Sequence, residues 1–352
     1  YAADERAFEE SEQHAANETF WSGKFQDSVP VLELPADYPY AKHRSFQAAT
    51  ERHVIEAELY QAIKKIGAKR GATLYATLGA AFHVLLHRLT EQESFVVGLP
   101  CAGQSLEGSE RVVGNCVNFL PLRTDLSGAS TFGELLDLVK GNLLEAFEHQ
   151  RYTFGKLLPL LRLERDPNRP PLVELQFNVE RMDYFQEFHG LKTDFQPSGK
   201  RFIFHSLFLN IVESSDGLAL HCDYSTELFE DRTIQRWLSL FETILRSIVA
   251  DPERPIDRLK ILTDGNQEAL LAQGALETPA HAAFVSHEPS PDFCLHALAE
   301  KAAAKVPGHP AVITADASWS HRELHERANR VAVQLRVQGV GPDVLVGVCL
   351  DR

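Results

Sequence analysis

Val113-Gly114-Asn115-Cys116-Val117-Asn118-Phe119-Leu120-Pro121-Leu122-Arg123 has the pattern of a strand broken by small and polar residues. An amphipathic helix follows it and ends on His149-Gln150-Arg151-Tyr152-Thr153-Phe154. The stretch then closes on Arg165-Asp166-Pro167-Asn168-Arg169-Pro170-Pro171-Leu172, just ahead of another apolar strand. Three polar-rich punctuations at the ends of regular elements point to a site or an interface rather than plain core.

The elements around this stretch alternate. His53-Val54-Ile55-Glu56-Ala57 reads as a short strand, and a helix is expected from Leu59 to Lys69. Thr73 can cap a second helix, in which Leu78, Phe82, Leu85, Leu86 and Leu89 recur at helical spacing. Ser94-Phe95-Val96-Val97-Gly98-Leu99 is wholly apolar, as in a strand covered on both sides. Ser130 or Thr131 caps the helix that carries Phe132, Leu135, Leu136, Val139, Leu143 and Phe147. Val173 to Asn178 predicts a strand. Phe202 to Val212 and Leu218 to Tyr224 predict a hairpin turned at Ser214-Ser215-Asp216-Gly217. Asp231 or Thr233 begins a long helix that Asp251-Pro252 and Pro255 end.

Upstream, residues 4 to 26 place Phe8, Phe20, Trp21 and Phe25 as an aromatic stripe on an expected helix. Pro30, Pro35 and Pro39 then enforce an extended segment. Downstream, residues 263 to 292 lose periodicity and read as an interdomain linker. Helices at Leu295 to Ala304 and Glu323 to Val337 follow, with strands at Ala311 to Ile313 and Val344 to Leu350.

With 352 residues, two domains are expected. A net charge of -14 argues against nucleic acid, since no basic cluster offsets repulsion from phosphate. The five cysteines form no Cys-x-x-Cys pair, so neither a zinc knuckle nor a disulfide framework is expected. Scattered thiols fit a reducing cytoplasm. No apolar run reaches the length of a membrane span. The first residue is Tyr1 and no leader follows, which suggests a piece of something longer.

Few residues offer chemistry on their own. His83 and His87 have helical ligand spacing, but Val84 stands where a zinc protease needs Glu. Two histidines flanking the Phe82/Leu86 apolar face explain the pair better, and no metal is expected. His205 is expected to face away from Phe204 and Phe208, and His221 with Asp223 away from Leu220 and Cys222. Such a face lines a cavity or meets solvent. Arg165, Asp166 and Arg169 either fix their loop through bidentate hydrogen bonds or hold a substrate or a phosphate-bearing arm. No nucleophile elbow, dinucleotide fingerprint or phosphate-cradling loop is present, so no catalytic residue is assigned.

Taken in order, the three punctuations resemble the C-terminal half of condensation domains of nonribosomal peptide synthetases. Gly114, Val117, Asn118 and Arg123 follow the family's Gly-x-x-Val-Asn-Thr-x-x-x-Arg run, with Phe119 in place of Thr. His149, Gln150 and Phe154 follow His/Asn-Gln-x-x-Pro-Phe, with Thr153 for Pro. Arg165, Asp166, Arg169, Pro171 and Leu172 follow Arg-Asp-x-Ser-Arg-x-Pro-Leu, with Asn168 for Ser. Val31 to Pro35, Val97 to Pro100 and Tyr224 to Phe229 agree as flanking pieces. After the linker, Trp319 to Leu324, Ala328 to Arg330 and Val340 to Pro342 resemble the opening of an adenylation domain.

The resemblance implies an α/β, α+β layered fold: a chloramphenicol-acetyltransferase-like lobe whose mixed sheet is covered by helices. Residues 1–262 would be the C-terminal lobe, with a crossover segment over 1–50, and 293–352 the beginning of the adenylation domain. The implied reaction is attack of an acceptor aminoacyl amine on a donor thioester, an amide-forming acyl transfer. Both groups would ride on phosphopantetheine arms of carrier domains. The family's His-His-x-x-x-Asp-Gly motif does not occur in the sequence, so activity alone is not expected. The implied partners are carrier domains, the N-terminal lobe and the rest of the adenylation domain, where ATP and Mg would bind. Asn118, Arg123, His149, Arg165, Asp166 and Arg169 are the expected tunnel-wall or loop-bracing residues. A degenerate lobe that only docks a carrier domain is the alternative.

Overall fold

The computed structural model describes residues 2–27, 29–41, 44–103, 112–163, 166, 168–181, 198–214, 217–262, 300–301, 303–314, 317–341, 344 and 346–347. It divides into two units, 1–264 and 265–352.

In the first unit the elements run α1 (Ala2–Glu9), α2 (Glu12–Gly23), β1 (Ala48–Glu56), α3 (Ala57–Lys69), α4 (Leu74–Thr90), β2 (Ser94–Ala102) and β3 (Val117–Asp125). They continue with α5 (Phe132–Glu148), α6 (Phe154–Leu161), β4 (Leu175–Arg181), β5 (Leu207–Ser214), β6 (Gly217–Ser225) and α7 (Asp231–Ala250). The six strands form one mixed sheet in the order β1-β6-β5-β4-β2-β3. β4 is parallel to both its neighbours, β5 and β2, and the remaining pairs are antiparallel.

Helices α3, α4, α5 and α7 cover one face. Along β5 and β6 the alternation puts Leu207, Leu209, Ile211, Leu218, Leu220, Cys222 and Tyr224 against them, all buried. From α7, Ile234, Trp237, Leu238, Phe241, Ile244, Leu245 and Ile248 answer from the other side. Each such side chain removed from water contributes about 2 kcal/mol, and this seam is what holds the sheet to its helices. The caps are specific. Thr73 accepts from the Ala76 N–H at 3.1 Å, and Thr131 with Glu134 forms a reciprocal capping box on α5. At the β5–β6 turn Gly217 has φ +139, and a Cβ there would sit 2.2 Å from the Ile55 carbonyl oxygen.

Several expectations need correction. The single helix over 4–26 is two helices, because Ser11 accepts from the His14 N–H and starts α2 afresh. The first strand begins at Ala48 rather than His53, and α3 starts at Ala57. The strand expected from Phe202 begins at Leu207: backbone bonds from Ile203 to Phe46 and from Ser206 to Glu174 bend the residues before it. The 173–178 strand is shifted to 175–181, since Pro170 and Pro171 and the left-handed Leu172 delay its start. Residues 215–216 of the turn and the linker at 263–292 lie outside the described residues.

The second unit contains β7 (Pro310–Ile313) paired antiparallel with β8 (Ser318–Ser320), followed by α8 (His321–Val337). Ser320 and Glu323 form a capping box on α8, and Arg327 lies 4.2 Å over Trp319. Residues 300–301 and 303–305 are helical. Residues 344, 346 and 347 are not in a strand, and the rest of the strand expected there lies outside the described residues. Among the described residues no helix is long and apolar enough to cross a membrane.

Candidate substrate cavity and its braces

The sheet face away from the four helices is not bare. A cavity of ≈ 990 Å³ opens on it, walled by Val29 to Leu32, Arg44, Phe46, residues of α6 and its exit (Gly155, Leu158, Pro159, Arg162, Leu163), the Asp166-to-Glu174 loop, Val96 and Phe204. Its walls are mostly apolar, while three arginines face two carboxylates among the lining residues. Such a mixture suits a ligand with an apolar body and an anionic end.

Backbone strain concentrates at this cavity. Among the described residues four non-glycines have positive φ: Phe46 (60°), Glu91 (58°), Arg162 (47°) and Leu172 (63°). Glu91 is the C-cap of α4, whereas the other three all line the cavity. A bulky side chain in the left-handed region persists only where its surroundings over-determine it, and such residues gather at binding sites.

One brace is a buried carboxylate. Glu174 is 6% exposed and accepts from the Arg169 guanidinium and from the Tyr40 hydroxyl, the latter at 2.9 Å. Arg169 also donates to the Leu32 carbonyl at 2.7 Å and stacks 4.7 Å over the Tyr40 ring. Burial, reinforced by the Glu174 charge, pushes the Tyr40 phenol up to about 12, so it stays a donor. This knot ties the extended 29–40 segment to the start of β4.

Asn118 makes the other brace. Its Nδ2 donates to the carbonyls of Gln150 (2.6 Å) and Tyr152 (2.9 Å), and its Oδ1 accepts from the Phe154 N–H (3.3 Å). The amide thereby fixes the loop that launches α6, and α6 is a wall of the cavity. Thr153 stands before α6 without a side-chain capping bond, so Asn118 supplies the satisfaction that the missing cap does not.

Of the remaining expected site residues, His149 and Arg123 fall elsewhere. His149 caps α5 at its C-terminal end, donates from Nδ1 to Asn17 Oδ1 (2.8 Å), stacks on Phe20 at 3.9 Å and accepts the Trp21 indole N–H on its carbonyl. Arg123 on β3 donates to the Lys24 carbonyl at 2.9 Å. Both hold the N-terminal helices, and neither lines the cavity. Asp166 lines the cavity, but its Oδ1 accepts from the Asn168 N–H (2.8 Å). The Arg169 side chain turns inward to Glu174. Arg165 lies outside the described residues.

The histidines also need correction. His205 precedes β5, so strand parity does not govern it, and it lies on the same face as Phe208 and Gln176. Its Nδ1–H donates to the Val173 carbonyl (3.1 Å), and its Nε2 accepts from Gln176 Nε2 (2.6 Å). Burial holds its imidazole down at about 4, against the opposing pull of the Val173 bond. Further along this face the strand register places Arg52, His221, Asn210 and Asn178 side by side across β1, β6, β5 and β4. Asn178 donates to Asn210, and Asn210 to Glu180. In this row His221, Asn210 and Asn178 are half-buried while Arg52 at the sheet edge is exposed, and period-two alternation was its only signal in the sequence. His83 is buried, with Nδ1 on the Gly79 carbonyl, and His87 bonds the Gln92 carbonyl. Among the described residues no group of three or more His, Cys, Asp or Glu side chains is placed to hold a metal ion.

A six-stranded mixed sheet with helices packed on one face and a braced cavity on the other is a layered α/β fold of chloramphenicol-acetyltransferase-like type. The Condensation domain family matches residues 1–271, and AMP-binding enzyme matches residues 299–352. The chain belongs to the condensation-domain family. It is 36% identical to Tyrocidine synthase 3 of Brevibacillus parabrevis over 347 residues, covering 97% of this chain and 5% of that protein. With Gramicidin S synthase 2 of Aneurinibacillus migulanus it shares 34% identity over 336 residues, 95% of this chain and 7% of the relative. Among solved structures, the X-domain in its complex with OxyB from teicoplanin biosynthesis aligns with TM-score 0.66 and 26% identity, covering 74% of this chain and 58% of that one. The chain therefore spans only a small part of its curated relatives' length.

Proposed function

We propose that residues 1–262 are the C-terminal lobe of an amide-forming condensation domain, and that the cavity is the part of its tunnel wall on this chain. Residues 263–292 would be the linker and 293–352 the beginning of an adenylation domain. The observation that carries this reading is convergence: Asn118 and Arg169, from two separate motifs, brace two different walls of one cavity that Asp166 lines. The substrate is a donor or acceptor thioester on the phosphopantetheine arm of a carrier domain. The donor set fits such an arm, since apolar walls suit the pantetheine chain and Arg44 or Arg162 suits its phosphate. Bound there, the arm supplies the reactive thioester. This chain's residues hold and orient it, and the group that assists the attacking amine is expected from an N-terminal lobe. ATP and Mg belong to a complete adenylation domain. A reducing cytoplasmic setting fits the scattered thiols.

Peptide-bond formation between two loaded carrier proteins, assayed with the synthetase that contains this chain, tests the reading. Amide product that falls at least tenfold in Asn118→Ala and Arg169→Ala supports it. Loss of neither would remove these residues from the site.

A second reading, docking without catalysis, is favoured by one observation: the X-domain that this chain resembles was solved in complex with another protein, OxyB. Carrier binding without amide product, from a synthetase with an intact upstream lobe, would select it.

A further inference from the structure

Phe119 lies just past the lining residues of the cavity, next to two neighbouring strands that run out of it. Val96 on β2 and Glu174 just before β4 line it. Two residues further on, on the same face, come Gly98 and Gln176, which are register partners. The Phe119 ring lies on Gly98. It stacks on His205 at 5.3 Å with an interplanar angle of 24°, and meets Phe154 edge-on at 5.4 Å. His205 in turn holds Gln176 and meets the edge of Phe204, itself a cavity residue. Beyond this stack lies the polar row of Asn178, Asn210, His221 and Arg52.

We propose that Phe119 is a specificity-determining residue: its ring, backed by His205, closes the cavity on the side of the polar row and limits the length of the apolar group the cavity accepts. The proposal rests on the cavity being a substrate passage. The chemistry of the closed end follows from its surroundings. Both His205 nitrogens are already engaged, so the imidazole behind the ring offers an incoming group no hydrogen bond. An unpartnered polar group there would be penalised, and an aliphatic or aromatic acyl or aminoacyl group on a pantetheine thioester is the class that fits. Threonine at position 119 is roughly four heavy atoms smaller and would join the cavity to the polar row.

The test compares the full chain with Phe119→Thr and Phe119→Leu, using straight-chain acyl pantetheines of increasing length as probes in calorimetry. Each buried methylene tightens binding about fourfold, so affinity should climb with length and level off at the ring in the unaltered chain. The plateau should come later in the threonine variant, with leucine between. An unchanged plateau overturns the proposal. A second readout does not depend on acyl binding: the rate of diethylpyrocarbonate modification at His205, read by mass spectrometry. It should rise several-fold in Phe119→Thr, and an unchanged rate also overturns the partition. If no acyl pantetheine binds any form while His205 becomes reactive, the substrate-passage reading falls and Phe119's role in specificity falls with it.

Discussion

Gly98 makes room for Phe119: a Cβ on residue 98 would lie 2.0 Å from the Phe119 Cζ and 2.7 Å from Val173. Phe119 stands where the resembling motif has Thr, and the glycine beneath it is what lets the larger ring lie flat on the sheet. Gly98→Ala should therefore destabilise the first unit by about 1–3 kcal/mol through overpacking. Adding Phe119→Thr should recover part of that loss. A double-mutant cycle in urea checks it, and strictly additive effects would contradict the contact.

Asn118 satisfies two carbonyls and one N–H of the 150–154 loop. Asn118→Ala leaves those groups short of partners and should cost about 2 kcal/mol. Amide exchange should accelerate most at Gln150 to Phe154 and along α6. Uniform acceleration over the whole sheet would argue for a global role instead.

Glu174 shows the asymmetry of buried pairs. Arg169→Ala strands a carboxylate that is almost fully buried, and about 3–5 kcal/mol should be lost. Arg169→Met with Glu174→Gln removes both charges and should be much milder than the single change. Thermal unfolding of the three variants decides the matter.

Acid should weaken this unit before most carboxylates titrate. Burial holds His83 at about 4, below its ordinary 6.5, and the same cause depresses His205. Each group is neutral when folded, while the unfolded chain binds a proton as pH falls below 6.5. Their contribution is therefore complete above pH 6.5 and is lost as pH falls through the window to 4. For the fully buried His83 this amounts to about 3 kcal/mol. Urea midpoints measured across that window should fall less steeply for His83→Leu than for the unaltered chain.

Much of the fold was legible because its signals are local. The stripes of α4, α5 and α7 and the apolar run of β2 declare themselves through periodicity, and Thr73 and Thr131 through cap chemistry. The order of β4 between β5 and β2 was not legible, since parallel pairing depends on partners distant in the chain. Within the candidate site, Asn118, Asp166 and Arg169 stood out as motif residues. Glu174, Tyr40 and Phe46 did not, because a buried carboxylate and a left-handed phenylalanine look ordinary in sequence. His149 stood out for a different reason than expected: its partners are helical residues more than a hundred positions upstream.

That attachment bears on how this chain can be recombined with its relatives. α2 grips the rest of the lobe through Asn17 to His149, Trp21 to the His149 carbonyl, Glu18 to Tyr152 and Lys24 to Glu145. A chimaera joined between α2 and β1 would take the two halves of this grip from different parents, while one joined ahead of α1 inherits it whole. Hybrids built on this chain should keep α1, α2 and α5 from one parent, however inviting the proline-rich segment at 30–39 looks as a seam.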